Sequence, residues 1–210
     1  MAVINSSQIK QNLVLQMTNS RVLENLAYGA MLSKLSDRKR KLLKDFDKHD
    51  VTKEIYAGVD SPTSTFLERG NLNSFIGLYP GQGENQLTDV KQLLQDRIKL
   101  RKTPVSKRRT RNSVIWDFAY ELPFLKEIWA LTQYAGNWKP GISWADEIEA
   151  RGIPHFDYYI FSFKAFKVVP QSRSGTALQL RFKGGTRPGK IPYIRKLLED
   201  FANNFDAKKE

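Results

Sequence analysis

The stretch Ile98–Leu122, IKLRKTPVSKRRTRNSVIWDFAYEL, contains the clearest strand signal in the sequence. In its second half every second residue is large and apolar, while Ser113, Asp117 and Glu121 lie between them; the apolar residues are Val114, Trp116, Phe118, Tyr120 and Leu122. This alternation is typical of a half-buried strand, because successive side chains point to opposite faces. A second short extended run, Ile98–Leu100, precedes it, so the pattern predicts a long hairpin.

A cationic loop is predicted between these two strands. The loop, Arg101–Arg111, contains no acidic residue and six basic ones: Arg101, Lys102, Lys107, Arg108, Arg109 and Arg111. A second basic patch falls in a predicted charged turn, Asp37–Lys41, and consists of Arg38, Lys39, Arg40 and Lys41. We expect the hairpin loop to contact an anionic partner, either nucleic acid or an acidic protein surface.

The composition supports this expectation and excludes several classes of site. The 210 residues include 34 Lys and Arg against 22 Asp and Glu, a net charge of +12. The absence of cysteine excludes disulfides and thiolate metal sites. The sequence has no apolar run long enough to span a membrane, and its first residues lack the pattern of a signal peptide. These features predict an intracellular product without a membrane partner.

The remaining patterns predict an α+β fold: a small, largely antiparallel sheet with the basic-tipped hairpin, covered by several helices, plus an N-terminal helical arm. Helices are expected over 20–57, 87–97, from Pro123, over 143–151, over 154–164 and from Pro192. Strands are expected at Asn71–Tyr79 and Ala177–Phe182. A polar loop after residue 58 divides the chain into a helical arm, 1–58, and a core domain, 59–210.

No catalytic residue, metal site or cofactor is predicted. The run Gly184–Lys190 spells a phosphate-loop pattern, but Ile191 stands where a magnesium-binding hydroxyl is required. His49 lies among aspartates without the spacing of a metal site. Asp117, Asp146 and Glu149 form the only conceivable nuclease-like carboxylate set, and solvent exposure explains them better. We therefore do not expect an enzyme.

Several segments resemble the neck or tail-completion proteins of tailed bacteriophages. They are the helix KLLKDFDKHDVTKEI at 41–55, the run GNLNSFIG at 70–77, the basic hairpin, GISWA at 141–145 and SRSG at 172–175. The resemblance spans roughly residues 40 to 205. The sequence departs from it at Arg151–His155, where a proline–histidine pair enters a segment expected to be helical.

This resemblance implies a non-catalytic α+β subunit of a ring around the DNA channel at the head–tail junction. The implied partners are further copies in a ring of six or twelve, the neighbouring connector or head-closure and tail-terminator proteins, and packaged DNA. Its implied place is the virion, assembled in the host cytoplasm. Two alternatives stay open: a nucleic-acid-binding accessory protein without sequence specificity, and a metal-dependent nuclease.

Overall fold

The computed structural model describes residues 6–58, 61, 64–66, 72–110, 113–134, 141–152 and 189–206. The predicted α+β class is confirmed. The helices are α1 Ser6–Asn19, α2 Arg21–Lys48, α3 Asp50–Tyr56, α4 Leu72–Ile76, α5 Gln82–Arg97, α6 Leu125–Leu131, α7 Trp144–Arg151 and α8 Ile194–Asp206. The strands are β1 Lys99–Leu100, β2 Ser106–Arg109, β3 Val114–Asp117 and β4 Tyr120–Glu121, and they pair antiparallel as β1 with β4 and β2 with β3.

The chain divides into two compact units. Unit 1 comprises Met1–Arg40 and Asp96–Leu122, and unit 2 comprises Lys41–Gln95 and Pro123–Glu210. The division into an arm, 1–58, and a core domain, 59–210, stays a prediction, since compactness alone does not show which segments fold independently.

Unit 1 is built on the hairpin and the helices that contact it. Helix α1 touches both β2 and β3. The ring of Tyr28 on α2 lies 5.8 Å from that of Phe118, centroid to centroid. The buried apolar side chains of this unit are few: Val14, Leu35, Ile98, Leu100 and Phe118. Most of its other large apolar residues are half-buried or exposed.

Unit 2 holds the larger core, which draws on every helix of that unit. Its largest fully buried side chains are Trp144, Tyr193, Phe46, Ile55, Leu72, Ile76, Leu78, Leu87, Leu94 and Ile128. The Tyr193 ring stacks on Phe46 at 6.0 Å, and its hydroxyl lies 2.8 Å from the Thr52 hydroxyl. This pairing satisfies two polar groups that are both fully buried.

A buried carboxylate, Glu54, organises the segment that follows α3. It accepts hydrogen bonds from the Ser64 hydroxyl at 2.6 Å, the Thr65 amide and the Leu72 amide at 3.2 Å. The bond from Leu72 satisfies an amide in the first turn of α4, as a capping side chain would. Glu54 thus ties two later segments of the chain to α3.

Two predicted elements are wrong. The apolar run Asn71–Tyr79, predicted as a strand, contains helix α4; short apolar runs have no period that separates the two states. The predicted charged turn Asp37–Lys41 lies inside the continuous helix α2. Lysine and arginine are good helix formers, and an Asp37–Arg40 ion pair at 2.7 Å spans one turn there.

The helix beginning at Ser143 is confirmed in detail. The Ser143 hydroxyl accepts the Asp146 amide at 3.1 Å, which makes Ser143 the N-cap of α7. The helix expected from Pro123 begins two residues later, at Leu125, and Phe124 just before it is 76% exposed. The expected helix over 154–164 and strand Ala177–Phe182 lie outside the described residues.

Candidate functional site

The paired strands of the hairpin extend into the cationic segment. Residues 106–109 and 114–117 pair in register, from Ser106 opposite Asp117 to Arg109 opposite Val114. The prediction that Lys107, Arg108 and Arg109 lie in a loop is wrong, because these residues form β2. The turn is short: the Thr110 and Ser113 hydroxyls lie 2.5 Å apart and the Thr110 amide donates to the Ser113 carbonyl.

The two paired segments of the hairpin are separated by an irregular stretch. Between the Leu100–Tyr120 pair and the Ser106–Asp117 pair, five residues on one arm face two on the other. Backbone hydrogen bonds from Arg101 to Ala119 and from Val105 to Asp117 close both ends of this bulge. Lys102 lies within it and is exposed.

Strand geometry distributes the cations over two faces. Residues directly opposite each other in an antiparallel pair share a face, and successive residues alternate. Lys107 therefore shares a face with Trp116, whereas Arg108 shares the other face with Ile115. The predicted cationic tip is in fact a two-stranded ribbon with cations on both of its faces.

The inner face is the one that contacts the helices of unit 1. Lys107 Nζ lies 2.6 Å from Glu24 Oε2 on α2, and Phe118, on the same face, contacts Tyr28. Arg109 is two residues nearer the turn on this face and is exposed. Within the described part of the chain, no carboxylate pairs with Arg109.

On the outer face an acidic residue already holds one arginine. Arg108 Nε and Nη2 donate to the two Asp117 oxygens at 2.9 and 3.0 Å, a bidentate pair, and the Ser106 hydroxyl donates to the same carboxylate. The hydrogen bond to Asp117, aided by its charge, raises the pKa of Arg108. Nearby, Arg101 pairs with Glu121 at 3.0 Å.

Within the segment Arg101–Arg111, two cations are thus available to a partner without breaking an ion pair. Among the described residues, Lys102 and Arg109 are exposed and have no acidic partner. Arg111 lies outside the described residues. Arg101 and Arg108 remain exposed while paired, so a polyanion can still compete for them.

The second predicted patch is spread around α2. Arg40 pairs with Asp37, whereas Lys39 Nζ donates to the Ile98 carbonyl at 3.3 Å and so connects α2 to the base of the hairpin. Arg38 is half-buried and Lys41 is exposed. A helix turns these four residues in different directions, so they do not form one flat patch.

The charge of the protein is concentrated in unit 1. Its 67 residues contain fourteen Lys and Arg against five Asp and Glu, so this unit carries +9 of the total +12. Unit 2, with 143 residues, carries the remaining +3. The hairpin is therefore part of a larger basic unit, in which the other residues of unit 1 add further positive charge.

The carboxylates considered for catalysis have structural partners. Asp117 is held by Arg108 and Ser106, as described above. In unit 2, Glu149 accepts the Arg195 amide at 2.7 Å at the start of α8, and burial raises the pKa of Glu149. Asp146 Oδ1 lies 3.5 Å from Arg195 Nη2. No set of His, Asp and Glu side chains among the described residues could hold a metal ion.

Sequence reasoning missed the residues of α2 that hold the hairpin. Glu24, Tyr28 and Lys39 all contact it, and with buried Leu35 they lie on one side of the helix. Their spacing of four, seven and four residues was a usable signal. This signal was hidden because two of the three contacting residues are charged, whereas the large apolar residues Val22 and Leu26 of the same segment are exposed.

None of the helices that the structure describes combines the length and apolarity needed to cross a membrane. A scan against protein-family models and searches of curated proteins and of solved structures found no match.

Proposed function

We propose that this chain is a structural subunit of the neck of a tailed bacteriophage, where the tail joins the DNA-filled head, and that it acts without catalysis. The sequence resemblance over residues 40 to 205 supports the family. The observation that carries the role is the cationic hairpin within a unit of charge +9. A subunit at this junction lies beside DNA, whose phosphates are anionic, and beside other virion proteins, whose acidic side chains are the alternative target of these cations.

The hairpin suits contact with a phosphate backbone rather than with base edges. Its exposed cations lie on both faces of a narrow ribbon, and Arg108 is already oriented by Asp117. Lysine and arginine contacts to phosphate fix position without reading sequence. Binding of this kind falls steeply with salt, because each contact releases condensed counterions. Docking onto an acidic protein would instead depend on particular carboxylates of the partner.

In the proposed assembly this chain forms a ring of six or twelve copies between connector or head-closure proteins and the tail terminator. Its removal from an infecting phage tests the role directly. We expect particles with unattached tails and heads that lose DNA, seen by negative-stain electron microscopy. Filled heads joined to tails in the absence of this chain would contradict the proposal.

A second candidate function is a nucleic-acid-binding accessory protein, which the charge of unit 1 favours equally. The two functions differ in the behaviour of the purified protein. A neck subunit should form rings as its concentration rises. A monomer that binds duplex DNA tightly at physiological salt would favour the accessory protein.

Lys102 and Arg109, the two unpaired cations of the segment Arg101–Arg111, give a specific test of DNA contact. We expect Lys102→Gln with Arg109→Gln to weaken duplex binding at all sequences alike. The slope of log affinity against log salt should become shallower by about 2, close to 0.9 for each phosphate that the variant no longer neutralises. Fluorescence anisotropy at several salt concentrations measures this slope, and the melting temperature should change little.

The matched control removes two exposed cations from unit 2, with Lys44→Gln and Lys126→Gln. This pair lowers the net charge equally and should leave the slope nearly unchanged. Equal reductions of the slope in both variants would mean that net charge, not the hairpin, drives binding. An unchanged slope in the Lys102→Gln, Arg109→Gln variant would favour an acidic protein over DNA as the partner of the hairpin.

A further inference from the structure

Helix α2 has two different sides within unit 1. One side contacts the hairpin through Glu24, Tyr28 and Lys39. Each residue advances about 100° around a helix, so these contacts define one direction. The other side of α2 is turned about 140° away from these contacts.

That side carries an exposed, uncharged strip, which we call the outer strip: Val22, Leu26, Gly29, Ser33 and Ser36. Their spacing of four, three, four and three residues keeps them in line, as in the seam of a coiled coil. Val22 is 68% and Leu26 65% exposed, although both are large and apolar. Of the residues flanking the strip, Leu23, Asn25, Ala30 and Leu32 are also uncharged, while Asp37 and Arg40 lie at its C-terminal end and pair with each other.

The charge around the strip restricts what can cover it. Unit 1 carries +9, so two copies repel each other over most of its surface. The outer strip is where a second copy can approach α2 without bringing like charges together. An acidic partner would gain nothing from an uncharged strip and would bind the surrounding cations instead.

We propose that the outer strip binds the same strip of a second copy, with the two α2 helices antiparallel. In that arrangement Leu26 of each copy lies over Gly29 of the other, and Val22 lies over Ser33. Each large residue then faces a small one, which fills space and lets the helices approach closely. Gly29 leaves the needed room, because a Cβ added there meets no atom within 4 Å.

The pairing is isologous, so it closes on itself as a dimer. A ring requires a different, heterologous contact. The dimer is thus independent of the proposed neck function and describes the free protein. The contact spans only about four helical turns, so we expect weak association in the micromolar range.

Sedimentation velocity of the full chain over a concentration series tests the inference. We expect a monomer–dimer equilibrium, and Leu26→Glu should weaken it more than about tenfold by burying two carboxylates that lack partners. Leu13→Glu is the control, since Leu13 is an exposed apolar residue on α1, outside the strip. Circular dichroism checks that both variants keep their helices.

Cysteine cross-linking tests the orientation, because the natural chain has no cysteine. Under oxidation, a mixture of Leu26→Cys and Gly29→Cys chains should form more disulfide dimers than either variant alone. A wild-type chain that stays monomeric, or equal cross-linking of Leu26→Cys alone, would overturn the antiparallel pairing. Rings of the wild-type chain without any dimer at lower concentration would overturn the inference while leaving the neck function intact.

Discussion

His49 joins two segments of unit 2 through both of its ring nitrogens. Nδ1 accepts the Val51 amide at 3.3 Å, which makes His49 the N-cap of α3, and Nε2 lies 2.9 Å from the Pro192 carbonyl oxygen. Because a carbonyl only accepts, Nε2 carries the proton. Burial lowers the pKa of His49, while the bond to Pro192 and the charge of Asp50 act in the opposite direction, and Lys53 adds to the lowering.

This arrangement predicts a loss of stability on acidification. The folded-state pKa of His49 lies below its ordinary value, so the unfolded chain takes up the proton first as pH falls. The stabilisation by neutral His49 is present above about pH 6.5 and is lost as pH falls towards the folded-state pKa. When the pH is lowered from about 7.5 to about 5.5, the melting temperature of the His49→Asn variant should therefore fall by less than that of the natural protein. Parallel curves for the two proteins would exclude this role.

At the scale of the element, two helical glycines have opposite surroundings. A Cβ added at Gly83, in the first turns of α5, would lie 2.6 Å from Ile55 Cγ2 and 3.0 Å from Leu78 Cδ1. This close approach lets α5 pack against neighbours in the core of unit 2. A Cβ added at Gly29 on α2 would have no neighbouring atom within 4 Å.

The two positions should therefore respond oppositely to alanine. Gly83→Ala should destabilise the protein by about 1–3 kcal/mol, because it overpacks a filled core. Gly29→Ala should stabilise it by about 0.5–1 kcal/mol, since alanine favours the helix. Urea unfolding in dilute solution, where any dimer has dissociated, measures both. Stabilisation by both changes would show that α5 shifts freely away from Ile55.

The elements that could be predicted are those whose signals are local. Ser143 predicts the start of α7, because a hydroxyl before a helix caps it. The alternation from Val114 to Leu122 predicts one arm of the hairpin. Helix α4 could not be predicted, because the hydrogen bond at its start is not local. The acceptor of the Leu72 amide is Glu54, eighteen residues earlier. Strand β2 is equally non-local: its residues SKRR become a strand through their pairing with β3.

At the scale of the whole molecule, electrostatics depends on how acidic residues are placed among the basic ones. Fourteen cations in unit 1 could be counted from the sequence, but their partners could not. Asp117 neutralises Arg108 across the hairpin, and Glu24 reaches Lys107 over 83 residues of sequence. Both pairings depend on tertiary structure. The sequence therefore identified the cationic segment, but not which of its side chains lack an acidic partner.

Removing one of these carboxylates should strengthen polyanion binding. Asp117→Asn keeps a hydrogen-bond acceptor for Ser106 and frees the charge of Arg108, so duplex DNA should bind more tightly and with a steeper salt slope. The melting temperature should change little, because the ion pair is exposed and screened by solvent. Asp37→Asn is the control: it frees Arg40 on α2 by the same change of charge. Equal increases in affinity from both changes would assign the effect to net charge.

Unit 1 is assembled from two segments separated by the whole of residues 41–95, and this has a consequence during synthesis. Tyr28 leaves the ribosome 90 residues before Phe118, against which its ring packs. At about 5–20 residues per second, that interval is roughly 5–20 s. For this time α1 and the first turns of α2 have no hairpin to cover them. The nascent chain therefore offers its N-terminal helices to chaperones or to neighbouring chains long before it can fold them.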